Sequence, residues 1–65
     1  MTLGELLKQT RETKGLSIRE LAELVGVSHV SIYHYEQDNH VPRLTHLKWL
    51  AQALDLKLSE LIERI

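Results

Sequence analysis

No cysteine occurs among the 65 residues, which excludes a disulfide framework, thiolate metal sites and a cysteine nucleophile. Phenylalanine is missing as well, and the aromatic residues are two Tyr and one Trp. Proline occurs once, at Pro42, and glycine three times, at Gly4, Gly15 and Gly26. No apolar run exceeds three residues, so neither a membrane-spanning helix nor a signal-peptide core is expected. No run of alternating β-branched residues reaches strand length. Neither sign of charge dominates: eight Lys+Arg against nine Asp+Glu give −1, which weighs mildly against a nucleic-acid partner.

Helix formers (Leu, Glu, Lys, Arg and Ala) dominate the residues that remain. With 43% apolar and 26% charged residues the chain reads as a folded domain rather than a disordered tail. A chain this short buries only about 60% of the surface its unfolded form exposes, which limits it to one domain, residues 1–65. The expected class is all-α.

Five helices can be placed. Thr2-Leu3-Gly4-Glu5 fits a capping box, and Leu3, Leu6, Leu7 and Thr10 recur on one face behind it. Gly15 suits the left-handed position that ends this helix. Ser17-Ile18-Arg19-Glu20 is a second capping box, followed by an apolar stripe of Leu21, Ala22, Leu24 and Val25 and closed by Gly26. Ser28 caps a third helix through about Gln37, with Ile32 and Tyr35 inward. Asp38 to Pro42 form a turn-rich connection. Leu44, Leu47, Leu50, Ala51 and Leu54 mark a fourth helix, and Leu56, Leu58, Leu61, Ile62 and Ile65 a short fifth.

The stretch from Ile18 to Gln37 carries the function. Val25-Gly26-Val27-Ser28 leaves room only for a tight turn between two short helices, and Ala22 is small where they would cross. Leu21, Val25, Val27, Ile32 and Tyr35 are apolar along the shared seam. This is the pattern of a helix-turn-helix, whose second helix enters the DNA major groove.

From Leu3 to Ile62 the chain resembles the lambda-repressor-like helix-turn-helix domains, also called the Cro/repressor or XRE family. The resemblance rests on Leu3-Gly4-Glu5-Leu6-Leu7, Arg11, Lys14-Gly15-Leu16-Ser17, Glu20-Leu21-Ala22, Val25-Gly26-Val27-Ser28, Ile32, Glu36, Pro42, Leu50-Ala51 and Leu54. It implies a compact five-helix domain that binds operator DNA, usually as a dimer, and regulates transcription, most simply as a repressor in the cytoplasm of a bacterium or encoded by a phage. On this likeness, base contacts fall to His29, Val30, Tyr33 and His34. Contacts to the DNA backbone fall to Arg19, Ser28, Ser31, Asn39, His40 and Arg43, and Arg11 and Glu36 form a structural ion pair. The chain also departs from the family. Ile18 replaces the Gln that commonly opens the second helix, Asp38-Asn39-His40 replace basic residues, and Arg43 and Lys57 stand where a capping Ser is typical.

Two features lie outside that pattern. His29, His34, His40 and His46 fall within one short window, at spacings that do not suit a metal site, so no metal or cofactor is expected. They either lie on a solvated face or, once protonated, add positive charge toward DNA. Trp49, Leu56, Leu58, Ile62 and Ile65 supply more apolar surface than one small core needs, which points to a homodimer contact. Two-fold pairing implies a pseudo-palindromic operator. The competing class is a protein-interaction module, or the N-terminal domain of a longer regulator. An enzyme is not expected, and no small-molecule ligand is evident: there is no Gly-rich phosphate loop and no room for a sizeable pocket. The charge balance predicts modest, salt-shallow DNA binding.

Overall fold

The computed structural model describes residues 1–65, and the first three of its five helices begin where the sequence supplies a side-chain cap. α1 (Leu3–Thr13) starts at Thr2, whose hydroxyl accepts from the Glu5 N–H while the Glu5 carboxylate accepts from the Thr2 N–H. α2 (Ile18–Val25) repeats the device with Ser17 and Glu20. α3 (His29–Glu36) starts at Ser28, whose hydroxyl accepts from the Ser31 N–H. α4 (Leu44–Leu54) and α5 (Leu58–Ile62) start at Arg43 and Lys57, neither of which offers a side-chain acceptor. At α5 only the return half of a box survives, with the Glu60 carboxylate accepting from the Lys57 N–H at 3.2 Å.

The ends of α1 to α4 share one geometry. Gly15, Gly26, Asp38 and Asp55 take positive φ, and the next residue donates to the carbonyl five positions back. Two of the four are aspartates, in a conformation that costs an L-residue energy, and each carboxylate has a partner elsewhere in the fold. Asp55 bridges to Lys14 at 2.6 Å in the open. Asp38 reaches back to the start of α1, where its carboxylate accepts from the Gly4 N–H at 2.8 Å and the Thr2 hydroxyl at 2.6 Å. A Cβ on Gly4 would strike the Glu36 carbonyl oxygen and the Asp38 carboxylate. Gly4 is therefore the gap through which α3 and its exit turn meet α1.

Every helix gives at least one fully buried side chain to a single core: Leu7, Leu21, Ile32, Leu50, Leu54 and Leu61. α3 packs against both α1 and α2, and α4 closes the far side. Arg11 spans α1 and α3, its guanidinium donating to the Glu36 carboxylate from Nε at 2.6 Å and from a terminal nitrogen at 3.1 Å. A third bond, to the Leu16 carbonyl at 2.8 Å, ties in the α1–α2 turn. Both side chains are almost fully buried, and the Glu36 hydrogen bond raises the Arg11 pKa above its ordinary value. Removing one partner from such a pair strands the other charge, at a cost of about 3–5 kcal/mol.

Three expectations need correction. Leu24 and Leu44 sit on the apolar stripes read from sequence but are exposed, because helices this short bury a narrow stripe. α5 spans only Leu58–Ile62, so Leu56 precedes it and Ile65 lies beyond it. Leu56 and Leu58 are half-buried against the core, which leaves Trp49, Ile62 and Ile65 as the exposed apolar residues of the predicted dimer set.

Candidate nucleic-acid interface

α2 and α3 cross at the Val25–Ser28 turn, where Gly26 sits at φ 84° and the Val27 N–H donates to the Ala22 carbonyl. The crossing buries Leu21, Ala22, Val25 and Ile32 and so fixes how α3 presents its other side. Rotation of about 100° per residue puts Val30, His34 and Gln37 opposite Ile32, Tyr35 and Glu36, with Tyr33 and His29 on the flanks. Burial follows this split. Ile32, Tyr35 and Glu36 are buried, whereas His29, Val30, Tyr33 and Gln37 are exposed and His34 is half-exposed. Sequence reading found four of these outward residues and missed Gln37, which lies one position past the end of α3; the same periodicity, carried one step further, would have included it.

The first turn of α3 offers unpaired backbone donors. Ser28 takes the Ser31 N–H, while the His29 and Val30 N–H groups have no carbonyl four residues back in the helix. The Ser28 and Ser31 hydroxyls lie 3.0 Å apart, so only one of their two hydrogens is used between them. Arg19, on α2, lines a shallow cleft with Ala22, Glu23, Gly26, Val27, Ser28 and His29. Glu23 lines this cleft too, and its carboxylate offsets Arg19 there. Asn39, His40 and Arg43, in the connection from α3 to α4, are all exposed.

The four histidines are not brought together. His34 and His40 lie side by side, with ring centroids 4.9 Å apart, and the Asn39 amide nitrogen is 3.1 Å from His34 Nδ1. His46 turns inward instead: its Nδ1 is 2.8 Å from the Tyr35 hydroxyl, and its ring lies against Trp49. Through the Tyr35 contact His46 links α4 to α3. His29 stands apart from the other three, on the first turn of α3.

Comparison with known proteins adds an independent line. The family described as a helix-turn-helix domain matches residues 2–64. Among solved structures, SinR, described as the master regulator for biofilm formation, in complex with DNA superposes with a TM-score of 0.86 at 31% identity, over 94% of this chain and 98% of that one. The N-terminal DNA-binding domain of SinR from Bacillus subtilis gives a TM-score of 0.85 at 31% identity, over 92% and 88% of the two chains. The transcriptional regulator PuuR of Escherichia coli K12 is 40% identical over 57 residues, 88% of this chain and 31% of its own. A protein of Thermococcus kodakarensis, provisionally named an HTH-type transcriptional regulatory protein, is 40% identical over 60 residues, 92% of this chain and 19% of its own. The chain therefore spans less than a third of the length of these curated relatives.

Proposed function

The chain belongs to the helix-turn-helix domain family, of the lambda-repressor-like kind, and from that premise we propose that residues 1–65 bind an operator in double-stranded DNA and regulate transcription in the cytoplasm. α3 enters the major groove, where His29, Val30, Tyr33 and His34 read base edges, and Gln37 joins them on the same arc. Arg19, Ser28, Ser31, Asn39, His40 and Arg43 hold the sugar-phosphate backbone, aided by the free N–H groups of the first turn of α3. Two copies bind a pseudo-palindromic site, paired through exposed apolar residues drawn from Trp49, Ile62 and Ile65.

The observation that carries this reading is the divided surface of α3. Its inner residues are locked into the core and into the Arg11–Glu36 pair, while its outer arc combines two imidazoles, a phenol, an amide and a valine with no carboxylate among them. Such a surface is suited to base edges, which offer acceptors, donors and the thymine methyl. It is supported by the likeness, over nearly the whole chain, to a protein solved in complex with DNA.

Fluorescence anisotropy against a pool of short duplexes at low and moderate salt tests the reading. Binding is expected to fall with salt, and to be lost in a His29→Ala/His34→Ala double variant whose circular dichroism matches wild type. If no duplex binds even at low salt, the reading fails and a protein-interaction role on the same fold takes its place.

A further inference from the structure

α3 leaves through the left-handed turn at Asp38, and two bonds of that turn set the place of Asn39. The Asp38 N–H donates to the Tyr35 carbonyl at 3.2 Å, and the Asn39 N–H donates to the His34 carbonyl at 3.0 Å. Asn39 is thereby held against the last turn of the outward arc, and its side chain completes the contact. The amide nitrogen Nδ2 lies 3.1 Å from His34 Nδ1. An amide nitrogen donates and does not accept, so Nδ1 must be the acceptor. A neutral imidazole with a bare Nδ1 carries its hydrogen on Nε2. The neighbouring Asp38 carboxylate does not compete, because it is turned to Gly4 and Thr2. Tyr33 meets the His34 ring edge-on at 5.5 Å, and His40 lies against it at 4.9 Å. These contacts orient the ring and favour its Nε2–H form in the free protein.

We propose that Asn39 is a positioning residue for base selection: by holding His34 in the Nε2–H form it makes that ring a hydrogen-bond donor and selects guanine at one position of each half-site. The proposal rests on the reading that α3 enters the major groove. Guanine presents two acceptors there, N7 and O6, whereas adenine and thymine present one each and cytosine presents an amino donor that another donor cannot engage. A tautomer chosen before binding also spares the complex the cost of choosing it at contact.

Asn39→Asp replaces the donor by an acceptor of the same shape. Its carboxylate takes a hydrogen from Nδ1, so neutral His34 changes to the Nδ1–H form, and Nε2 becomes an acceptor suited to the amino groups of cytosine or adenine. Two measurements decide the matter: long-range proton–nitrogen NMR of the free proteins in mildly alkaline buffer, with the neutral ring identified from its own nitrogen shifts, and selection of bound sequences from a random DNA pool. The wild type is expected to show the Nε2–H form and one strongly preferred guanine per half-site. In Asn39→Asp the other form appears and that preference falls by about tenfold or more relative to the other positions of the site, while overall affinity also falls because a carboxylate replaces the Asn39 amide at the DNA backbone. Asn39→Ala, which leaves Nδ1 to water, gives both forms and an intermediate preference. An Nδ1–H form in the wild type overturns the proposal, and so does a base preference that stays fixed while the tautomer changes. If no protein enriches any DNA, the reading of α3 fails and the proposal with it; the NMR signal of the free protein separates that outcome from failure of the Asn39 contact.

Discussion

Asp38 and Asp55 look interchangeable at the level of the single residue, since both are aspartates at φ near +58° after a helix. Their neighbours make them different. The Asp55 carboxylate meets Lys14 with 79% of its own side chain exposed, and such a pair contributes about 0–1 kcal/mol. Glycine relieves a left-handed position by about 1 kcal/mol. Asp55→Gly is therefore expected to lie between neutral and about 1 kcal/mol more stable in urea. Asp38 instead satisfies an orphan N–H of α1 and puts its charge at the positive end of that helix, so Asp38→Gly is expected to lose about 1 kcal/mol net. Equal losses in the two variants would count against this account. Glu20 gives a second prediction. Hydrogen bonds from the Ser17 backbone N–H and hydroxyl hold its pKa below the ordinary carboxylate value. In the pH range between the two values the unfolded chain binds the extra proton, so the stability Glu20 contributes is full above about pH 4.5, the ordinary value, and drains away as pH falls through the depressed one. Wild type should exceed Glu20→Gln in urea midpoint at neutral pH, with the gap closing in acid; a gap constant with pH would refute the assignment.

Among the elements, α4 and α5 break the capping rule that α1, α2 and α3 obey. A helix that opens on Arg or Lys leaves its first N–H groups without a side-chain acceptor and sets a positive charge at the positive end of the dipole. Residues that break a local rule at a stability cost tend to lie at functional sites. Arg43→Ser and Lys57→Ser should each stabilise the fold by about 0.5–1 kcal/mol. Only Arg43→Ser should also weaken DNA binding, because Arg43 follows the exit turn of α3 whereas Lys57 precedes α5. Parallel urea melts and duplex titrations on the two variants check this; equal loss of DNA affinity would remove Arg43 from the interface. The helices themselves were legible because their start and stop signals lie within a few residues of each other in the chain: Thr2 with Glu5, Ser17 with Glu20, Ser28, Gly15 and Gly26. The outward arc of α3 was legible for the same reason, since periodicity is local. Contacts across the fold were not. Asp38 read as a turn residue that displaces a basic one, and nothing local reveals that it reaches back to Gly4 and Thr2. His46 read as one of four clustered histidines, yet its ring meets the hydroxyl of Tyr35, on another helix. Leu24 and Leu44 obey the helical period but fall at the edge of stripes too narrow to bury them.

The dimensions of the whole molecule constrain how it meets DNA. The chain measures 25 × 21 × 20 Å, less than the roughly 34 Å of one turn of B-DNA, so one copy offers one α3 to one stretch of major groove. Arg19 and Arg43 are the only Lys or Arg among the proposed contacts, and Glu23 offsets the first. With about two neutralised phosphates per copy the slope of log affinity against log salt should be near −2. So shallow an electrostatic contribution leaves a single copy weakly bound, and useful affinity then requires two copies on two half-sites. The surface for pairing is available in Trp49, Ile62 and Ile65, all exposed on α4 and at the C-terminal end of the fold. Ile62 and Ile65 can be changed without entering the core, which makes Ile62→Glu/Ile65→Glu the decisive variant. It should keep the melting behaviour of wild type, bind an isolated half-site with unchanged affinity, and lose the tight binding of a site whose half-sites are centred about 10–10.5 base pairs apart. The salt slope on the full site should fall from near −4 to near −2, as two copies give way to one. A wild-type complex that holds one protein per full site, or a variant that binds the full site as tightly as wild type, would show that this end of the molecule does not pair the two copies.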